Sequence, residues 1–382
     1  MSMTDELLGK DRAHELARLL READPQANSS ALRSAADTLT GLGLSGRARL
    51  LASAIREDHG IDPRRLTAVT RAALHDPGFE GWMLWPVGLA VAWSAVEAET
   101  SASFDDALAI MRELTPRMTS EFAIRPLLRH DLERGLAQLH EWTSDADWHV
   151  RRLASEGSRP LLPWAERIPA LVADPTASRP IVDAMFDDPE ESVRRSVANH
   201  VNDHSRHHAA FVVDTVTGWR ESGGTHVDRT ARHALRTLVK RGDTGALGIL
   251  GFTPAELDVT QLALSCSRVP IGDAVRFYAS VTNRDSEPVR IVIDYVLAFP
   301  DSRARERTKV FKLAQRELSP GETTDVAGAQ SFRPLSTRRY YPGPASIALQ
   351  INGIAYTSTV FALVESAPYS KASAPIPVTY AD

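Results

Sequence analysis

The chain has one cysteine, Cys266, in 382 residues, and only five lysines against 39 arginines. A lone cysteine cannot close an internal disulfide, which fits a reducing compartment. No stretch approaches the roughly 20 consecutive apolar residues of a membrane-spanning helix. The opening MSMTDELLGK has no apolar run, so no secretory signal is expected and a cytoplasmic protein is. There is no Walker loop, no GxGxxG after a strand, no GxSxG and no catalytic-type cysteine motif. Nucleotide-binding, dinucleotide-binding and nucleophile-elbow chemistries are therefore disfavoured. The net charge of −5 argues against a protein held on nucleic acid by charge alone. The arginine bias has two readings that composition does not separate, a GC-rich genome or a planar guanidinium fork suited to phosphate and carboxylate partners.

What is present changes character along the chain. All seven Trp and all twelve His precede residue 235, whereas all seven Tyr follow residue 277. Gly251-Phe252-Thr253-Pro254 punctuates the change, giving expected domains at 1–252 and 255–365 and a loose Pro/Ala/Ser-rich tail at 366–382. The first part shows apolar residues at helical spacing between Pro- and Asp-rich breaks. Trp148-His149-Val150-Arg151-Arg152-Leu153-Ala154 aligns with Glu191-Ser192-Val193-Arg194-Arg195-Ser196-Val197 at an offset of 43, and a weaker copy begins near Asp228. Asp145-Ala146-Asp147 and Asp187-Asp188-Pro189 supply the turn and cap signals ahead of these segments. A period of roughly 40 with two helices per unit is the mark of HEAT-like stacking. The expectation is an all-α HEAT-like repeat solenoid, an α-α superhelix.

The second part changes to a period of two. Val275, Phe277, Ala279 and Val281 alternate, as do Ile291, Ile293, Tyr295 and Leu297, and Ile347, Leu349 and Ile351. Asn352-Gly353 is a two-residue hairpin signal. Short strands of this kind predict a small all-β immunoglobulin-like sandwich.

On the helix starting at Trp148, Val150, Leu153, Ala154, Gly157 and Leu161 form the apolar stripe, and Arg152, Ser155, Glu156 and Arg159 a polar one. Glu156 carries arginines at i−4 and i+3. In the next repeat Asn199 matches Glu156, and Asn202 and Asp203 lie close by on the same helix. His200 and His207 flank Asp203, but no zinc-type spacing supports a metal site and none is expected. Glu121 precedes Phe122-Ala123-Ile124-Arg125-Pro126, where an ordinary ion pair with Arg125 is the simplest reading. Trp164 closes a Pro-bounded connection, as either a core residue or an exposed aromatic wall.

Three segments together resemble the AlkC branch of the HEAT-repeat DNA alkylation-repair glycosylases, relatives of AlkD. They are Ser120–Pro126, then Trp148–Pro160 with Leu162-Pro163-Trp164, and Val193–Asp203. The resemblance implies a DNA glycosylase that excises small cationic N-alkylated bases of the 3-methyladenine type from duplex DNA, without base flipping. It places Glu121, Glu156 and Asp203 as the catalytic carboxylates and Trp164 beside the lesion. A methylated purine already carries positive charge, so it leaves without a general acid, and carboxylates set in advance stabilise the oxocarbenium-like sugar. Trp164 adds cation–π attraction. Arg152 and Arg159 are expected to hold phosphates, with Asn199 and Asn202 nearby. Arg303, Arg305, Arg338 and Arg339 form basic clusters between strands of the sandwich, expected to touch DNA. No metal or organic cofactor is required, and a monomer is expected. The alternatives are a non-catalytic HEAT-repeat scaffold binding DNA or protein, and a HEAT-type lyase.

Overall fold

The computed structural model describes residues 3–334 and 339–365, so the expected tail 366–382 and Arg338 lie outside the described residues. The chain divides into two compact units, Met1–Arg236 and Thr237–Asp382. Among the described residues, no helix is long and apolar enough to cross a membrane.

The first unit is built from helices whose neighbours lie roughly one repeat away in sequence. Leu44–His59 packs on Leu84–Ala98, which packs on Ser101–Leu114 and Arg125–His130. Further along, Trp148–Gly157 packs on Glu191–Asp203, and that helix on Val227–Ala234. The contact between Trp148–Gly157 and Glu191–Asp203 buries Val150, Leu153 and Ala154 of the expected stripe and Val193, Val197 and Val201, whereas the helix ends at Gly157 and leaves Leu161 of that stripe half-buried beyond it. Leu153 is fully buried, so truncation to Ala would cost about 2–5 kcal/mol. The turn signal of the first repeat acts as read, and in the second the cap shifts to the residue after Pro189. Asp147 caps its helix by accepting the His149 N–H at 2.9 Å. In the next repeat Glu190 is the cap, and Asp188 orders the turn by accepting the Glu190 N–H at 2.8 Å.

The paired arginines of the repeat have different jobs. Arg151 reaches forward to Asp188 through two bonds of 2.7 and 3.1 Å, and Arg112 reaches Asp145 at 2.7 Å, tying each repeat to the following one. Arg152 lies on a different face of the same helix. One arginine serves the fold and its neighbour is left for the site.

The second unit holds two sheets. The first contains β1 (Leu257–Val259), β2 (Ala263–Leu264), β4 (Ala274–Asn283) and β7 (Thr323–Ser331), with β1, β2 and β7 all antiparallel to β4. The second runs in the order β3 (Arg268–Pro270), β9 (Ile354–Val364), β8 (Gly343–Ile351), β5 (Val289–Pro300) and β6 (Glu306–Leu318), with β3 and β9 parallel. Val275, Phe277, Ala279 and Val281 of one sheet meet Ile291, Ile293, Tyr295, Leu297, Ile347, Leu349 and Ile351 of the other in one core. Asn352 (φ 48°) and Gly353 (φ 83°) make the expected β8–β9 turn with both residues left-handed. Asn352 is buried there, its Oδ1 accepting from the Val292 N–H at 2.9 Å and its amide donating to the Thr253 carbonyl at 2.7 Å.

The compact units divide before the helix-to-strand change near residue 255, because the short helices Arg236–Arg241 and Thr244–Ile249 lead into a segment that packs on β5. Leu247 and Phe252 bury themselves against Val292. Both faces of β5 are thereby covered, and Val292 and Asp294 are as buried as the core-facing residues.

Candidate active site

Glu121 lies in the turn before the helix Arg125–His130. Arg152 and Glu156 stand one turn apart on Trp148–Gly157, Arg159 follows that helix, and Asp203 ends Glu191–Asp203. Packing of the repeats brings them into a single alternating chain. Arg152 Nη1 donates to Glu121 Oε2 at 3.1 Å, and Arg152 Nη2 lies 3.8 Å from Glu156 Oε2. Arg159 Nη1 donates to Glu156 Oε1 at 2.6 Å, while its Nε and Nη2 grip both oxygens of Asp203 at 3.0 and 3.1 Å. All three sequence-expected carboxylates are therefore in one place, separated by the two arginines.

Within this strip three acids face two guanidiniums, and Arg125 and Arg236 lie within electrostatic reach of its Asp203 end. The acids and Arg159 have side chains only 7–11% exposed. Such groups must be paired to be tolerated inside a protein. Burial raises the Glu121 carboxyl above its usual range, with Arg152 opposing and Glu156 adding to the rise. Burial likewise raises Asp203 in spite of Arg159 and of the Leu161 N–H that it accepts. Burial also works against the charge of Arg159, but bonding to Asp203 and the attraction of Glu156 leave its pKa raised.

This geometry corrects the expectation that Arg159 holds a phosphate. Each of its three nitrogens already donates to Glu156 or Asp203, and it is 7% exposed. Arg152 is half-buried and also faces two carboxylates, so its charge is already partly met. Asn199 is turned to the following repeat, its Oδ1 accepting from His233 and from Arg236 at 2.9 Å each. Asn202 is half-buried beside Asp203 on the same helix. His200 has both ring nitrogens occupied, by Ser178 Oγ at 2.9 Å and the Ser155 carbonyl at 3.1 Å, and burial holds it neutral. Among the described residues no group of three His, Cys, Asp or Glu is arranged to hold a metal ion.

Trp164 is 61% exposed and sits at φ 65°, a left-handed conformation that a bulky residue adopts only under constraint. Its ring lies 6.4 Å from that of Trp82, which contacts Phe122 at 6.3 Å and Trp85 at 6.1 Å. Of the two readings open for Trp164, the exposed aromatic wall is the one observed. That wall adjoins Glu121 through Phe122.

Several supporting residues escaped the sequence reading. Arg125, 1% exposed, is not paired with Glu121 but donates to the carbonyls of Gly157, Arg159 and Glu166 at 2.9, 2.7 and 2.8 Å. Burial lowers its pKa to about 10. It anchors the connection that carries Arg159 and Trp164. Ser196 donates to Glu156 Oε2 and contacts Ser155 Oγ at 3.0 Å, and Thr119 donates to Glu121 Oε2 at 3.0 Å. A signal for Ser196 existed: it takes the repeat position of Leu153, and a hydroxyl in a core position needs a partner.

In the second unit Arg303 and Arg339 are exposed, and Arg305 is drawn back onto Asp301 at 3.1 Å. Asp301 is brought down to about 2, chiefly by the Arg303 N–H, so the basic cluster is organised around an acid.

An acidic–basic strip on a helical repeat array with an immunoglobulin-like domain appended defines the class of protein. Residues 258–365 match the family described as the C-terminal Ig-like domain of the uncharacterised protein YhaZ. The uncharacterised protein YhaZ of Bacillus subtilis (strain 168) is 36% identical over 291 residues, 75% of this chain and 78% of that protein. The Pseudomonas fluorescens alkylpurine DNA glycosylase AlkC, solved bound to DNA containing an abasic site analog, superposes with a TM-score of 0.78. It is 30% identical, and the match covers 95% of this chain and 100% of that one. The chain belongs to the AlkC family, together with YhaZ.

Proposed function

We propose that this protein is a DNA glycosylase of base excision repair that removes small cationic N-alkylated bases, of the 3-methyladenine type, from duplex DNA. It acts by hydrolysis of the N-glycosidic bond, without flipping the base and without a metal or organic cofactor, as a cytoplasmic monomer. The observation that carries this reading is the strip Glu121–Arg152–Glu156–Arg159–Asp203, three largely buried carboxylates from successive repeats held in place by two arginines. The similarity to an alkylpurine DNA glycosylase supports it.

An alkylated purine cation departs with its bonding electrons, and positive charge builds on the sugar. Preorganised carboxylates in a site poor in water stabilise that charge without reorganising, an effect commonly worth 10²-fold or more per group. Glu156 and Asp203 share Arg159, which fixes both carboxyl planes before DNA arrives. Asp203, raised by burial, suits the orientation and deprotonation of the attacking water. Glu121 supports from the far side of Arg152. Trp164, exposed and held in a strained turn, offers its π-face to the cationic base. The product is free methylated base and an abasic site. Incubation with methylated duplex DNA tests this directly. Release of free 3-methyladenine by the purified protein supports the reading, and intact glycosidic bonds after prolonged incubation refute it.

A further inference from the structure

The face that carries the carboxylates continues onto the next two helices with its chemistry inverted. His149-Val150-Arg151-Arg152-Leu153-Ala154-Ser155-Glu156 aligns with Ser192–Asn199 at an offset of 43 and, after a further 34, with His226-Val227-Asp228-Arg229-Thr230-Ala231-Arg232-His233. The core agrees with this register, since Val150, Val193 and Val227 are all buried, as are Ala154, Val197 and Ala231. Arg152, Arg195 and Arg229 are then equivalent positions, and so are Glu156, Asn199 and His233. A carboxylate becomes an amide and then an imidazole.

Between the helices Glu191–Asp203 and Val227–Ala234 lies a small groove lined by Arg195, Arg229 and His233, with Glu191 its one acid. Arg195 and Arg229 converge on the same Glu191 oxygen at 3.0 and 3.2 Å, and their side chains remain 60% and 73% exposed. Asn199 Oδ1 is already capped by His233 and Arg236, so toward any further group its amide can only donate. Burial lowers the pKa of His233, and the positive charges of Arg236 and Arg195 add to the effect. Arg236 is within electrostatic reach of Asp203 and Arg159, which joins this groove to the carboxylate strip. Arg195 and Arg229 share one carboxylate, and Arg236 stands nearby on the Asn199 oxygen and the His233 carbonyl, so positive charge is crowded here beyond what Glu191 meets. An anion would relieve that crowding.

We propose that Arg195, Asn199, Arg229, His233 and Arg236 form a binding site for a backbone phosphodiester of duplex DNA, one repeat beyond the carboxylates. The inference rests on the glycosylase reading for the identity of the anion. It also supplies what the site itself lacks, because Arg152 and Arg159 already face carboxylates. A phosphate held here fixes register without reading sequence and keeps its charge off the acidic strip.

The test is binding of the full chain to undamaged duplex DNA, read by fluorescence anisotropy over a range of salt concentrations. Arg195→Ala and Arg236→Ala should each flatten the slope of log K against log salt by about one, and the double variant by about two. Lys at the same positions should keep the slope, and Gln variants give the same reading should an Ala variant not fold. A double variant with the wild-type slope overturns the proposal. It also falls if inorganic phosphate raises the melting temperature of the wild type but not of the variants while DNA slopes stay equal, since the groove then takes a free anion. A protein that shows the slope losses but releases no alkylated base refutes the glycosylase reading and leaves the groove standing. Excision with unchanged slopes overturns the groove alone.

Discussion

Arg159 grips Asp203 across 44 residues of sequence with two bonds of 3.0 and 3.1 Å, and with its third nitrogen donates to Glu156 at 2.6 Å. One guanidinium thus sets the spacing of two carboxylates from successive repeats. Removing one partner of a buried pair strands the others, at a cost of about 3–5 kcal/mol. Arg159→Ala should therefore lower thermal stability and excision together while leaving the salt slope of DNA binding as it is. A slope flatter by about one would show that Arg159 contacts phosphate after all.

Activity should fall at an unusually high pH on the acid side. Burial raises Glu121 and Asp203 above their usual range, and the mechanism needs both ionised. The single-turnover rate should decline on acidification before pH reaches the ordinary carboxylate value of about 4. Stability moves the other way. Folded-state values above the unfolded ones mean that the folded chain binds these protons more tightly, so the contribution is full below the unfolded pKa and is lost as pH rises through the folded one. A rate that stays constant down to pH 4 would contradict this assignment.

Trp164 trades stability for function. At φ 65° a tryptophan carries about 1–3 kcal/mol of backbone strain that glycine does not. Its exposed ring loses little by truncation. Trp164→Gly should hold or raise the melting temperature and weaken excision of a cationic base. Equal excision by the variant would remove the aromatic wall from the mechanism.

The sandwich is proposed to contribute to DNA binding through Arg303 and Arg339, since Arg305 is held back by Asp301. Charge reversal at both, Arg303→Glu and Arg339→Glu, should weaken binding to undamaged duplex and flatten the salt slope. Unchanged binding would assign these arginines to solubility only.

The three carboxylates were legible because each sits in a segment with its own repeat or family signal, and repeat packing brings such segments together. Their partners were less so. The sequence shows Glu156 flanked by arginines at helical spacing, but the grip of Arg159 on Asp203 depends on how two repeats dock, which no local pattern states. Trp82 was missed because it lies a repeat upstream of Phe122, although Trp82 and Phe122 each stand four residues before a proline at an offset of 40. In the sandwich, alternation revealed the inward faces of β4, β5 and β8. It gave no warning that β5 is buried on both sides, because the segment covering it reads as ordinary helix and loop.

Glu156 and Asp203 are proposed to carry the chemistry and not the binding. Glu156→Gln and Asp203→Asn keep the shape and one accepting oxygen of each side chain while removing the charge that faces the developing cation. The most direct measurement is single-turnover release of 3-methyladenine from duplex DNA by wild type and both variants, with DNA affinity measured in parallel. Rates lower by about 10²-fold or more are expected for each variant at near-wild-type affinity. Variants that release base at the wild-type rate would contradict the proposal.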